Sequence, residues 1–204
     1  MKALADVKNE VSQLIGKADT SDSFLIVVNS GYLQEVTADV VREFQERTTY
    51  GIYVSLNRPY FSVKKYLVER GVDVERVFFV DCITSAATNA QFINDANVFF
   101  AKHPEDIRPE GSILTSINRF IKATSGEKFI VVDALRTLLL HNDVEEVSQF
   151  VHHILSLTHG HRVKIVFLTL WEEDMEVIQR LGMAFDEIAL VGSEDGYIVP
   201  LDID

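Results

Sequence analysis

The sequence predicts an α/β protein of three layers, a parallel sheet with helices on both faces, closed by an antiparallel C-terminal hairpin. Strand-like and helix-like patterns alternate along almost the whole chain. The strand-like runs are apolar throughout rather than half polar, as strands covered on both faces must be. Two further strand-like runs end the chain across the four-residue turn Gly192-Ser193-Glu194-Asp195.

The elements follow in order. Leu4, Val7, Val11, Leu14 and Ile15 recur at helical spacing, so Ala3 to Lys17 reads as an amphipathic helix. It either packs within the chain or docks on a neighbouring subunit, and packing within the chain is the simpler reading. Phe24 to Val28 is a buried strand followed by the turn residues Asn29-Ser30-Gly31-Tyr32, and a helix is expected from about Gln34 to Arg47. Ile52 to Leu56 is a strand, Pro59 is tolerated at a helix start, and Val63, Tyr66 and Leu67 line a helix that stops at Gly71. Val77 to Val80 forms a strand with Asp81 at its end. From Cys82 to Gly111 the pattern weakens, and the segment is expected to be a long excursion of irregular or short helical pieces. Ser112 to Ala123 is a helix, Phe129 to Val132 a strand ending at Asp133, and Asp143 to Leu157 a helix. Val163 to Leu168 is a strand, Glu172 to Leu181 a helix, and Phe185 to Val191 and Gly196 to Leu201 make the closing hairpin. One domain is expected over 1–204, with the N-terminal helix in 1–18, the core in 24–191 and edge strands in 185–201.

Composition narrows the function. The chain has 204 residues, 47% hydrophobic and 25% charged, an ordinary globular balance that excludes disordered, collagen-like and disulfide-scaffold classes. The sole cysteine, Cys82, forms no internal disulfide and reads as a buried small hydrophobe in a reducing compartment. Charges at Lys2, Asp6, Lys8 and Glu10 break up any signal-peptide core and no run is long enough to span a membrane, so a cytoplasmic location is expected. With 19 basic against 31 acidic side chains, the net charge of -12 disfavours nucleic acid. The local cluster Lys64, Lys65, Arg70 and Arg76 is interleaved with Glu69, Asp73 and Glu75 and reads as a solvated face. The histidines, including His152-His153 and His159-Gly160-His161, lack metal-ligand spacing and read as a solvated helix end. Neither a nucleophile elbow nor a dinucleotide fingerprint is present.

In a parallel sheet the ligand crevice lies beyond the carboxyl ends of the strands. Those positions hold Asn29-Ser30-Gly31, Asn57-Arg58, Asp81 to Thr84, Asp133 and Thr169. Asp133 reads either as a metal ligand or, preferably, as a cap accepting backbone N–H groups; Asp81 reads as an anchor for the excursion after it.

The phrases Gly51 to Pro59 (GIYVSLNRP), Gly71 to Asp81 (GVDVERVFFVD) and Phe129 to Leu138 (FIVVDALRTL) resemble the RecA-like ATPases of the KaiC and archaeal RadA-related type, over roughly Phe24 to Val191. The resemblance implies the RecA-like P-loop NTPase fold, with Phe129 to Asp133 as the Walker B strand whose aspartate helps hold the magnesium of ATP. It also shows departures. A P-loop needs two glycines and a lysine after the first strand. Here the segment Asn29 to Thr37 (NSGYLQEVT) keeps one glycine, and Glu35 occupies or adjoins the lysine position. The glutamate that orients the attacking water in the family is replaced by Asn57 or Arg58. Phosphoryl transfer depends on positioned charge, so loss of both parts implies loss of ATPase activity.

The leading expectation is therefore a degenerate RecA/KaiC-like module without Walker A motif, catalytic residues, metal site or cofactor. It would act through protein partners, as a homo-oligomer or with an active RecA-like ATPase, and not on nucleic acid or membranes. The alternative is a nucleotide or small-ligand sensor that binds without turnover in a vestigial crevice formed by Asn29, Ser30, Gly31, Tyr32 and Asp133. A third reading is an unrelated enzyme built around Asp81, Asp133 and Thr169.

Overall fold

The computed structural model describes residues 2–84, 96–103, 106–158, 160–171 and 175–193. Its strands are β1 (Ser23–Val28), β2 (Tyr50–Ser55), β3 (Val77–Asp81), β4 (Val98–Phe100), β5 (Lys128–Asp133), β6 (Val163–Leu170) and β7 (Glu187–Val191). The helices are α1 (Leu4–Ile15), α2 (Leu33–Gln45), α3 (Tyr60–Glu69), α4 (Ser112–Ala123), α5 (Leu135–His141), α6 (Val144–Thr158) and α7 (Met175–Gly182). Short 3-10 turns occupy Gly16–Asp19 and Ser30–Tyr32.

The strands form one seven-stranded sheet in the order β4-β3-β2-β5-β6-β1-β7. Every pairing is parallel. In β1 and β5 all six residues are buried, which accounts for their lack of polar alternation. The apolar side chains of α1, α2 and α3 pack on one sheet face with Phe24, Ile26, Tyr53, Phe79 and Val131. Those of α4, α5, α6 and α7 pack on the other with Leu25, Ile52, Val80, Ile130 and Phe167. This is the expected three-layer α/β architecture.

Helix α1 stays with its own chain. Val7, Val11, Leu14 and Ile15 are buried against the α2 face, and burying four such side chains contributes about 1.5–3 kcal/mol each.

Two expectations are corrected and one element is added. Val98–Phe100, expected to be part of an irregular or helical excursion, is the edge strand β4. Leu135–His141, a stretch to which the sequence pattern assigns no element, forms a separate helix with Leu138 fully buried. Phe185 belongs to the turn before β7 rather than to the strand. The second strand of the closing hairpin, 196–201, lies outside the described residues, as do 85–95 and 104–105 of the excursion.

Candidate crevice at the carboxyl ends of the strands

The register aligns Asp81, Ser55 and Asp133 at one level across β3, β2 and β5. In-register residues of parallel strands point to the same face, here the face covered by α1, α2 and α3.

Asp81 is fully buried and acts as an anchor. Its Oδ1 accepts the Ile83 and Thr84 backbone N–H groups at 2.8 Å each. Its Oδ2 accepts the Tyr60 N–H at 2.7 Å and the Thr84 hydroxyl. One carboxylate thus holds the start of α3 and the turn after β3 together, as the strand-end reading expects. Cys82 beside it is buried, and burial, then the Asp81 charge, pushes its thiol pKa up.

Asp133 is also fully buried but has different partners. The expectation that it caps the following turn is not met: the residue before α5 is Ala134, and no side chain caps that helix. Instead Oδ2 accepts the Tyr53 hydroxyl and, at 2.7 Å, Nη2 of Arg58. Arg58 Nη2 also lies 3.3 Å from the Tyr53 hydroxyl. The backbone fixes this meeting. Ser55 Oγ donates to the Arg58 carbonyl at 2.6 Å, and the Leu56 N–H donates to the Asp133 carbonyl at 2.8 Å. Burial, then the Asp133 charge, raises the Tyr53 pKa well above its usual value, so it stays a neutral donor. For Arg58, burial works against the cation, but Tyr53 and Asp133 outweigh it and the net shift is upward.

The cluster continues outward. The Arg58 guanidinium lies 5.8 Å from the centroid of the Tyr66 ring, and that of Arg70 lies 4.6 Å from it. Arg70 Nη2 meets Glu35 Oε1 at 2.8 Å. The Tyr66 pKa is pushed up to about 12 by burial first and by Glu35 second. Asp133 Oδ1, Arg58 Nε and the Tyr66 hydroxyl are buried without a hydrogen-bond partner.

The turn after β1 satisfies its own backbone. Gly31 N–H donates to Asn29 Oδ1 at 3.0 Å, Tyr32 N–H donates to the Asn29 carbonyl at 2.9 Å, and Leu33 N–H donates to the Ser30 carbonyl. Tyr32 is buried, with its hydroxyl donating to the Lys2 carbonyl at 2.6 Å. A Cβ placed on Gly192, where φ is +79°, would lie 2.6 Å from the Tyr32 ring, so only glycine lets the end of β7 approach so closely.

An open hollow of about 330 Å³ lies beyond these strand ends, lined by Ser30, Gly31, Leu33, Gln34, Glu35, Asn57 and Arg58. Of the five predicted crevice residues, Ser30 and Gly31 line it, Asn29 braces its turn, Tyr32 is turned toward β7, and Asp133 is buried and bonded to Arg58. Thr169 is buried in β6. Asp81 and Asp133 have separate partners on either side of Ser55. Sequence reasoning placed Arg58 at the crevice but not as the partner of Asp133, read Tyr66 only as a helix-lining residue, and missed Tyr53. Tyr53 did carry a signal, since a hydroxyl in a strand buried on both faces requires a partner.

A family model described as a family of unknown function (DUF7504) matches residues 25–189. The chain belongs to this family. No curated protein matches the chain. Among solved structures, this DUF7504 member is similar to the uncharacterized protein PH0321 from Pyrococcus horikoshii, solved in complex with an unknown peptide. The two are 13% identical with a TM-score of 0.64, over 91% of this chain and 86% of the other. It is also similar to the KaiC-like protein PH0186 from the same archaeon, at 12% identity and a TM-score of 0.56, over 83% of this chain and 70% of the other. At these identities the likeness shows the fold alone, an α/β fold that this DUF7504 member shares with PH0321 and with the KaiC-like protein PH0186. Among the described residues no helix is long and apolar enough to cross a membrane, and no three His, Cys, Asp or Glu side chains gather closely enough to hold a metal ion.

Proposed function

We propose that this protein is a non-catalytic KaiC-like module that works by binding other proteins, as a homo-oligomer or with an active RecA-like ATPase, without hydrolysing ATP. The observation that carries the reading is the turn after β1. A phosphate cradle needs backbone N–H groups pointing outward, and those of Gly31, Tyr32 and Leu33 are bonded within the turn. Glu35 adds a carboxylate in the first turn of α2, where it meets the helix dipole and opposes a triphosphate. Magnesium does not fit the donor set, because the Asp133 carboxylate already faces a guanidinium. The water-orienting position after β2 holds Asn57 and Arg58 in place of a carboxylate.

The charge distribution supports protein partners over nucleic acid. Arg70 is paired with Glu35, Lys65 with Glu69 and Arg76 with Asp73, so the basic run on and after α3 carries its own counter-charges. The net charge of -12 acts in the same direction. A reducing, cytoplasmic setting suits the lone buried cysteine.

The purified protein is expected to show no ATP turnover and no thermal shift with millimolar Mg-ATP, and a mass above the monomer by light scattering or on mixing with a RecA-like ATPase. Turnover that Asp133→Ala abolishes would overturn the proposal. A second reading, a small-ligand sensor, is favoured by the hollow itself, which is open and has Arg58 and Asn57 in its wall. Calorimetry with adenine and guanine nucleotides separates the two, because a sensor gives heat without hydrolysis.

A further inference from the structure

We infer that Arg58 is the resident counter-cation of Asp133: it stands where the fold family places a divalent ion and makes the crevice independent of metal. The inference rests on the non-catalytic reading but concerns a different step, the replacement of an exchangeable cation by a covalently attached one.

The geometry is specific. Asp133 is fully buried, and a carboxylate there needs an opposing charge. Arg58 Nη2 supplies it at 2.7 Å from Oδ2. A magnesium ion coordinates carboxylate oxygen at about 2.0–2.1 Å and holds its waters around it. A guanidinium already in contact with the same oxygen fills that space and repels a second cation. The Tyr53 hydroxyl takes another acceptor direction of Oδ2, which leaves only the buried Oδ1 unpartnered.

Arg58 does not arrive by chance of a flexible side chain. Its backbone is tied to Ser55, the strand end before it is tied to Asp133, and its guanidinium lies over the Tyr66 ring. Arginine also suits the role because its charge is permanent and its planar fork matches a carboxylate. The side chain is about 20% exposed and lines the hollow, so its removal opens a path from solvent to Asp133. Ser30 and Asn57 line the same hollow.

The test is thermal unfolding and manganese binding, by electron paramagnetic resonance, of the full chain without nucleotide. The wild-type melting temperature is expected to be the same in EDTA, millimolar Mg²⁺ and millimolar Mn²⁺, with no bound manganese. Arg58→Ala is expected to melt roughly 6–12 °C lower in EDTA, to regain part of that loss in Mn²⁺, and to bind manganese. Asp133→Asn in the Arg58→Ala background is expected to abolish both the regain and the binding. Arg58→Lys, which keeps a cation, is expected to fold and to ignore metal. Wild-type stabilisation by Mg²⁺, an Arg58→Ala variant indifferent to metal, or rescue that persists without Asp133 would each overturn the inference. If Arg58→Ala fails to fold, the wild-type and Arg58→Lys responses still decide it. ATP turnover by the wild type would overturn the non-catalytic reading, whereas a metal-indifferent Arg58→Ala with an inert wild type overturns only this one.

Discussion

Asp81 and Asp133 end neighbouring strands of β2 at the same level, both fully buried, and their charges are stabilised by unlike means. Asp81 is surrounded by neutral donors, so Asp81→Ala leaves the Tyr60, Ile83 and Thr84 N–H groups without their acceptor. Urea unfolding is expected to show a loss of about 3 kcal/mol or more. Asp133 depends on a full opposing charge. Asp133→Asn is expected to cost about 3–5 kcal/mol, because Arg58 is left without its counter-charge. Adding Arg58→Met should cost less than the sum of the two single changes, a coupling that a double-mutant cycle reads directly. The two residues also differ in how far the sequence reveals them. The partners of Asp81 lie mostly two or three positions downstream, so its anchoring role follows from local turn chemistry. The partners of Asp133 lie 75 and 80 positions away, a meeting set by which strands become neighbours. For that reason the sequence shows Arg58 as a missing carboxylate and hides it as a counter-cation.

Among the elements, the long buried strands and the amphipathic helices α1, α2 and α4 were legible because apolar spacing encodes them directly. Two short elements were not. β4 has three residues, too few to display a period, and it exists because β3 offers an edge. α5 reads LRTLLLH, without a capping side chain, and is held by Leu135 and Leu138 on the sheet. Close packing at an element start gives a further prediction. A Cβ on Gly51, at the beginning of β2, would lie 2.0 Å from the Phe129 ring, which is stacked on Phe44 at 5.7 Å. Gly51→Ala is therefore expected to destabilise by about 1–3 kcal/mol through overpacking. Gly71→Ala meets open space and bears only the strain of its φ of +75°, so about 1 kcal/mol is expected. Denaturant midpoints of the two variants make the comparison.

At the scale of the molecule, two carboxylates give stability a pH dependence, Asp106 by closing its own loop and Asp186 by tying the turn before β7 to the start of β1. Asp106 is held below the usual carboxylate range by the Ser112 N–H first, against the opposing effect of its partial burial, with Arg108 adding to the lowering. Asp186 is opposed by burial, yet the Asp22 and Ser23 donors outweigh it and hold its pKa down. A depressed carboxylate stabilises the fold fully above its unfolded pKa of about 3.9 and loses that contribution as pH falls through the folded value. Urea midpoints are expected to decline below about pH 4, and Asp186→Asn should flatten part of that decline. The sheet order has a consequence of another kind, for the time course of folding. β1 is the first of these strands to be made but pairs with β6 and β7, the last two of them, whereas β2, β3 and β5 have one another much sooner. On the ribosome the strand Phe24 to Val28, apolar at every position, must wait with both edges unpaired until residues beyond 163 have emerged. The nascent chain is therefore most dependent on chaperone cover for the very strand that the finished molecule buries near one end of its sheet.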